Sequence, residues 1–201
     1  MHNLKLGDED EIAAKVMNSI LGGGVFSGRL MQNLREDKAY TYGARSSLSA
    51  GKHFGTFSAG ASVRNEVTDS AVHEFMYELR RMVTEKVTED ELNLIKNSMN
   101  GSFARSLERP QTIARFALNI EKYNLPKDYY DTYLERLSAV TIDDIYRVAQ
   151  KYITPENTNI IVVGNKGDVA EKLARFSASG NVNFYNYKGN SLKEEVKKEI
   201  P

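Results

Sequence analysis

Few side chains in this sequence can hold a metal or move a proton. Histidine occurs at His2, His53 and His73 only, and cysteine is absent, so thiolate metal sites and disulfides are excluded. No two histidines stand at metal-ligand spacing. His73-Glu74 opens like H-E-x-x-H, but Tyr77 takes the place of the second histidine, and the inverted H-x-x-E-H pattern is absent. His73 falls on an amphipathic stretch and reads as a surface histidine, so no complete metal site is expected. Gly24-Val25-Phe26-Ser27-Gly28 misses the spacing of a nucleophile elbow and follows a helix rather than a strand. Ser27 reads instead as a helix N-cap. Gly22-Gly23-Gly24 precedes a helix N-terminus, which can hold an anion. No strand precedes these glycines and no P-loop lysine comes after them, so a close-packed connection between two helices is the simpler reading.

The elements around these residues are well marked. Asp8 with Glu11 makes a capping-box pattern, and Ile12, Val16 and Ile20 come next at helical spacing. Gly22 to Gly24 end that helix, and a short one carries Leu30, Met31 and Leu34 as far as Asp37. The period then changes to two. Tyr40, Tyr42, Ala44, Ser46 and Leu48 share one strand face, Gly51-Lys52 turns, and residues 53–62 return as an antiparallel partner. Four or five helices come next: the Val72–Val83 stripe, a second capping box at Thr88 and Glu91, starts at Pro110 and Pro126, and a cap at Thr141. Asn159–Gly164 is a near-continuous apolar run and predicts a strand buried on both faces. A helix over 168–176 and a strand over 182–185 close the order. The segment 191–201, mostly Lys and Glu, predicts a charged tail, solvated as a helix or disordered. The class is α+β, a mostly antiparallel sheet with helices on one face, in a single domain over 1–190.

The 201 residues suffice for one core, and 41% hydrophobic content is that of a folded chain. Lys+Arg and Asp+Glu are both 27, so the basic excess of a nucleic-acid binder is missing. The longest apolar run, Ile160–Val163, has strand length and falls far short of the ~20 residues of a membrane span. The opening Met1-His2-Asn3-Leu4 carries no signal-peptide pattern and enters a helix abruptly, as an excised fragment would. Periplasm and cytoplasm are both compatible with this composition.

One stretch is distinctive: Leu21-Gly22-Gly23-Gly24-Val25-Phe26-Ser27-Gly28-Arg29-Leu30, and then Leu34-Arg35-Glu36-Asp37-Lys38-Ala39-Tyr40-Thr41-Tyr42-Gly43. It resembles the C-terminal domain of the pitrilysin/insulinase (inverzincin) zinc metallopeptidases, with their Leu-Gly-Gly-Gly-x-Ser-Ser-Arg-Leu pattern and a Leu-Arg-Glu motif before a tyrosine-bearing strand. Thr88–Leu92, Val140–Tyr152 and Asn159–Gly164 extend the resemblance along nearly the whole chain. The resemblance implies the half that closes over substrate and lacks the metal motif, with zinc in a partner N-terminal half on the same polypeptide or a separate subunit. It implies peptide as substrate and no activity from this chain alone. A non-catalytic structural or peptide-binding subunit of the same fold is the alternative. It also implies that Arg35 and Tyr42, or Tyr40 in its place, reach the scissile peptide, with Gly22, Gly23, Gly24 and Phe26 shaping the chamber wall. From the residues alone, Arg35 equally fits a helix C-terminus, and both tyrosines fit sheet packing. Family domains open with strands for which only residues 2–6 are available here, so the sheet is expected to lack its first strand or strands. The exposed edge would then favour association, including a homodimer.

Overall fold

A computed structural model of the chain describes residues 2–24, 27–51 and 54–197. The first helix, α1 (Glu11–Leu21), lies at its centre. Ile12, Ala13, Val16, Met17 and Ile20 are buried, as their spacing predicts. The predicted capping box does not form. Asp8 Oδ2 instead accepts from Lys5 N–H at 2.7 Å, and Glu11 turns inward to Gly7 N–H, Lys15 and the Tyr129 hydroxyl. A fully buried carboxylate needs such partners, and only the tertiary fold supplies Tyr129.

After the glycines comes a short helix, α2 (Arg29–Met31), which continues as a π-helical turn over Gln32–Asp37. Gly28, not Ser27, stands at its N-cap. The hairpin is formed by β1 (Ala44–Ser49) and β2 (Thr56–Ala61), antiparallel with Ala44 opposite Ala61. Ala44, Ser46 and Leu48 turn toward α1 and α2. Tyr40 and Tyr42 do not continue that face, because the chain is irregular from residue 40 to 43.

Helices α3 (Thr68–Thr84), α4 (Glu89–Leu107), α5 (Pro110–Tyr123), α6 (Tyr133–Ala139) and α7 (Ile142–Tyr152) complete the helical layer. The predicted capping boxes at Thr88–Glu91 and Thr141–Asp144 both form, and Pro110 opens α5. Pro126 leads into turns rather than a helix. The core joins α1 to the inner faces of α3, α4, α6 and α7 through Leu79, Met82, Ile95, Leu137, Ile145 and Val148. This is the α+β arrangement expected, with helices on one face of antiparallel strands.

Two expectations fail near the C-terminus. Residues 159–164 run without pairing, and Ile161 and Val163 are 86% and 98% exposed. An apolar run becomes a buried strand only where neighbouring strands cover it, and among the described residues none does. Beyond α8 (Lys166–Leu173), β3 (Asn181–Tyr185) pairs antiparallel with β4 (Ser191–Lys197). The start of the expected tail is thus a strand rather than a helix. Gly189, at φ +78°, and the Gly189 N–H bond to Asn186 O reverse the chain and hand β4 a partner.

Candidate functional site

The segment from Arg35 to Tyr42 is built from two local irregularities. Within the π-helical turn, Lys38 N–H reaches back to Asn33 O at 3.0 Å. The turn ends through Ala39, held at φ +52°, with Tyr40 N–H bonded to Leu34 O at 2.9 Å. A non-glycine residue in that region costs roughly 1–2 kcal/mol, and π-turns and strained residues cluster at functional positions. Buried Leu30 and Leu34 anchor the turn, so it is a rigid platform rather than a loose loop.

On this platform Arg35 stands half-exposed, its Nε 3.4 Å from Glu36 Oε1. Tyr40 packs against the core, whereas Tyr42 is 98% exposed. The two tyrosines, which alternation placed on one face, are thereby separated. Thr41 holds the stretch in place: its Oγ1 lies 2.8 Å from Ser62 O and accepts from Gly43 N–H at 3.1 Å. Tyr42 is thus fixed through its backbone neighbours while its ring stays in solvent.

The glycines do a different job. Gly22 O accepts from Ser46 N–H at 3.0 Å, and a Cβ on Gly22 would stand 2.9 Å from the Ser46 nitrogen. The close approach is therefore to β1, not simply between two helices. A Cβ on Gly23 would strike Asn18, and Gly24 sits at φ +135°. Phe26 and His53 lie outside the described residues. His73 is exposed, 3.5 Å from Glu74, and His2 rests edge-on against Tyr152, burial lowering its pKa. Among the described residues no group of three or more His, Cys, Asp or Glu could hold a metal. Clefts of about 470 and 620 Å³ open elsewhere, and neither is lined by Arg35, Tyr40 or Tyr42.

Residues 2–99 match the family model described as the peptidase M16 inactive domain. Over those residues, just under half of the chain, the sequence is similar to a peptidase M16 inactive domain. A Streptomyces coelicolor protein named as an uncharacterized zinc protease is 29% identical over 150 residues, covering 75% of this chain and 32% of that protein. The Bacillus subtilis protein YmxG, named likewise, is 28% identical over 159 residues, 76% of this chain and 37% of its own. A crystal structure of a peptidase M16 inactive domain from Pseudomonas fluorescens superposes with a TM-score of 0.72 at 25% identity, covering 77% of this chain and 37% of that one. The chain thus spans about a third of the length of such relatives.

One residue of the glycine-hinge motif was not singled out by sequence reasoning. Arg29 is 8% exposed and binds Glu91 with two bonds, Nε to Oε1 at 2.7 Å and Nη2 to Oε2 at 3.0 Å. Glu91 also accepts from Thr88 N–H at 2.9 Å. Burial raises the Glu91 pKa, but these bonds outweigh it and hold the carboxyl below its ordinary value. The glycine-hinge motif and the Thr88–Glu91 cap are therefore one interlocked unit. Asn33, also buried, donates to Glu74 at 3.0 Å and Glu78 at 2.8 Å, tying the platform to α3. The signal available in sequence was the motif arginine itself, but its acidic partner is 62 residues away.

Proposed function

We propose that this chain is an M16-type domain, the substrate-binding, chamber-closing half of a zinc-dependent metalloendopeptidase acting on peptides. Residues 1–190 would act as one domain in this role. The observation that carries the reading is the pairing of a platform fixed by the core with two presented groups, Arg35 and the fully exposed Tyr42. Zinc and its activated water would be supplied by an N-terminal half bearing H-x-x-E-H, on the same polypeptide or as a separate subunit. The Tyr42 phenol would donate to the oxyanion that develops at the scissile carbonyl. The Arg35 guanidinium would hold a neighbouring substrate carbonyl and add positive charge there. Neither group can activate water, so this chain alone is expected to be inactive. Tyr40, packed on the core, is the weaker candidate, and Gly22–Gly24 would form the adjoining wall. Self-association through an exposed sheet edge, giving a homodimer, belongs to the same reading.

The test is cleavage of a quenched fluorescent peptide by the cognate zinc-bearing half with and without this chain. Activity should appear only with both. Tyr42→Phe should lower kcat by about 10²–10³-fold, the usual cost of one oxyanion donor, and Arg35→Ala should weaken turnover and substrate binding together. If associated, zinc-loaded halves stay inactive, the chain is a structural or peptide-binding subunit. If both variants cleave normally, the assigned roles are wrong.

A further inference from the structure

We propose that the cleft between the π-helical turn and α3 is a second peptide-binding site, which takes a backbone amide of an extended, uncharged peptide segment. This rests on the substrate class proposed above and adds a site to it. The cleft measures about 620 Å³, within the roughly 300–1,000 Å³ of ligand sites. Its walls all come from residues 27–91, whereas the chain's first residues lie beside Gly55, where His2 N–H bonds Gly55 O at 3.0 Å. Arg29 and Asn33 line the cleft, and each is 8% exposed. Glu91 holds the Nε and Nη2 of Arg29, so the guanidinium is fixed and its Nη1 is left buried with no partner. Glu74 and Glu78 both accept from Asn33 Nδ2. That decides which way the amide faces and leaves its Oδ1 buried with no partner. Buried polar atoms are rarely left unpaired, so two of them on one cleft mark a place where a ligand completes the bonding.

The chemistry of these two atoms selects the ligand. Arg29 Nη1 only donates, and Asn33 Oδ1 only accepts. An amide supplies both complements, a C=O for the arginine and an N–H for the asparagine. A bare anion would satisfy Arg29 alone. It would also face four carboxylates, Asp37, Glu74, Glu78 and Glu91, against three cations, Arg29, Lys38 and Arg81. A cation would satisfy Asn33 alone and meet a guanidinium. Arg29 is already balanced by Glu91 and Arg81 by Glu78, so a neutral group brings in no uncompensated charge. The Tyr77 ring, 47% exposed, stands in the same wall and offers an apolar face to a neighbouring side chain. Exposed Gln32 and Lys38 also line the cleft, and rotamer changes of such side chains on binding are common. Asn33 and Lys38 lie two and three positions from Arg35 in the chain. A peptide held at Arg35 therefore reaches the cleft within a few extended residues, each about 3.3 Å long.

Binding is read on the 201-residue chain alone by nitrogen-15 NMR, with an N-acetylated, C-amidated octapeptide of alanine and serine as the probe. The Asn33 side-chain amide, the Arg29 Nε–H and the Gln32 backbone amide should shift together and saturate. Methylating the peptide's backbone nitrogens removes its donors and should weaken binding about ten-fold, the effect of one unmade hydrogen bond to a buried acceptor. Gln32→Trp fills the cleft from an exposed position and should weaken binding at least as much, with the far-ultraviolet circular dichroism unchanged. Sodium phosphate and sodium acetate are titrated in parallel. Shifts at Arg29 from either salt, with none from the peptide, would overturn the inference in favour of an anion site. Peptide shifts confined to Arg35 and Tyr42 would overturn it and leave the proposed substrate contacts standing. No shift at any residue, or equal binding of the methylated peptide, would overturn it as well. Cleft shifts that Gln32→Trp abolishes, in a chain that fails to complete the peptidase, would keep this site and remove the zinc-enzyme reading.

Discussion

At the scale of single residues, the molecule divides its charged groups between anchoring and presentation. Asp10 is an anchor, 6% exposed, bonded to Lys151 at 2.6 Å, to the Tyr152 hydroxyl at 2.7 Å and to Arg147. Burial raises its pKa, but the bonds from Lys151, Arg147 and Tyr152 prevail and lower it from 3.8 to about 2. The folded state therefore binds the Asp10 proton less readily than the unfolded chain does. Its contribution is complete above the unfolded value of 3.8 and is lost as pH falls from there toward about 2. Because Arg147 and Lys151 are half-exposed, the contribution is on the order of 1–2 kcal/mol, below the full linkage figure. Asp10→Asn should lower stability to denaturant by that amount at neutral pH and flatten the acid limb below pH about 4. An unchanged acid limb would show that Asp10 is not the group responsible. Tyr42 is the opposite case, a large aromatic with no packing role, which is why its substitution is expected to act on turnover and not on stability.

At the scale of elements, the platform is held by links that sequence distance conceals. Arg29 joins α2 to the cap of α4, and Asn33 joins the π-helical turn to α3. Removing one partner of a buried ion pair leaves an uncompensated charge, at about 3–5 kcal/mol when both are fully buried. Glu91 is partly exposed, so Arg29→Ala should cost roughly 2–3 kcal/mol, read as a shift in the urea midpoint. Its effect should reach the distant platform, broadening the amide resonances of residues 32–38. A loss below about 0.5 kcal/mol, the range of ordinary surface changes, would show that the pair is incidental. The π-turn also explains why simple alternation misplaced Tyr40 and Tyr42. An extra residue in the turn rotates all later positions, and Ala39 then reverses the direction before the strand begins.

At the scale of the whole molecule, stability is unevenly distributed. Helix α1 is buried along nearly its full length and packs against α7, α4 and β1. The β3–β4 pair, by contrast, buries no residue of β3 and forms a separate two-stranded sheet. Amide exchange tracks local opening, so elements with few buried contacts open below the global free energy. Amides of β3 should exchange at least ten-fold faster than those of α1, whose slowest should report global unfolding. Equal protection in both would mean that the small sheet folds as part of the central core.

The sequence by itself determined most of the helical layer. The spacing of Ile12, Val16 and Ile20 and the caps at Thr88 and Thr141 were legible because they depend on neighbours within a turn or two. It also carried the family resemblance, through the glycine hinge and Leu34-Arg35-Glu36, and so the two residues proposed for substrate contact. Only the tertiary structure decided where Glu11 found Tyr129, that Arg29 met Glu91, that Tyr40 was packed while Tyr42 stood free, and that β4 had β3 to pair with. Among the described residues it also left Asn159–Gly164 without a strand partner, despite the composition of a buried strand. The physical reason is common to all of these. Helix signals are local, whereas a strand's fate and a buried charge's partner are fixed by groups far along the chain, which periodicity does not encode.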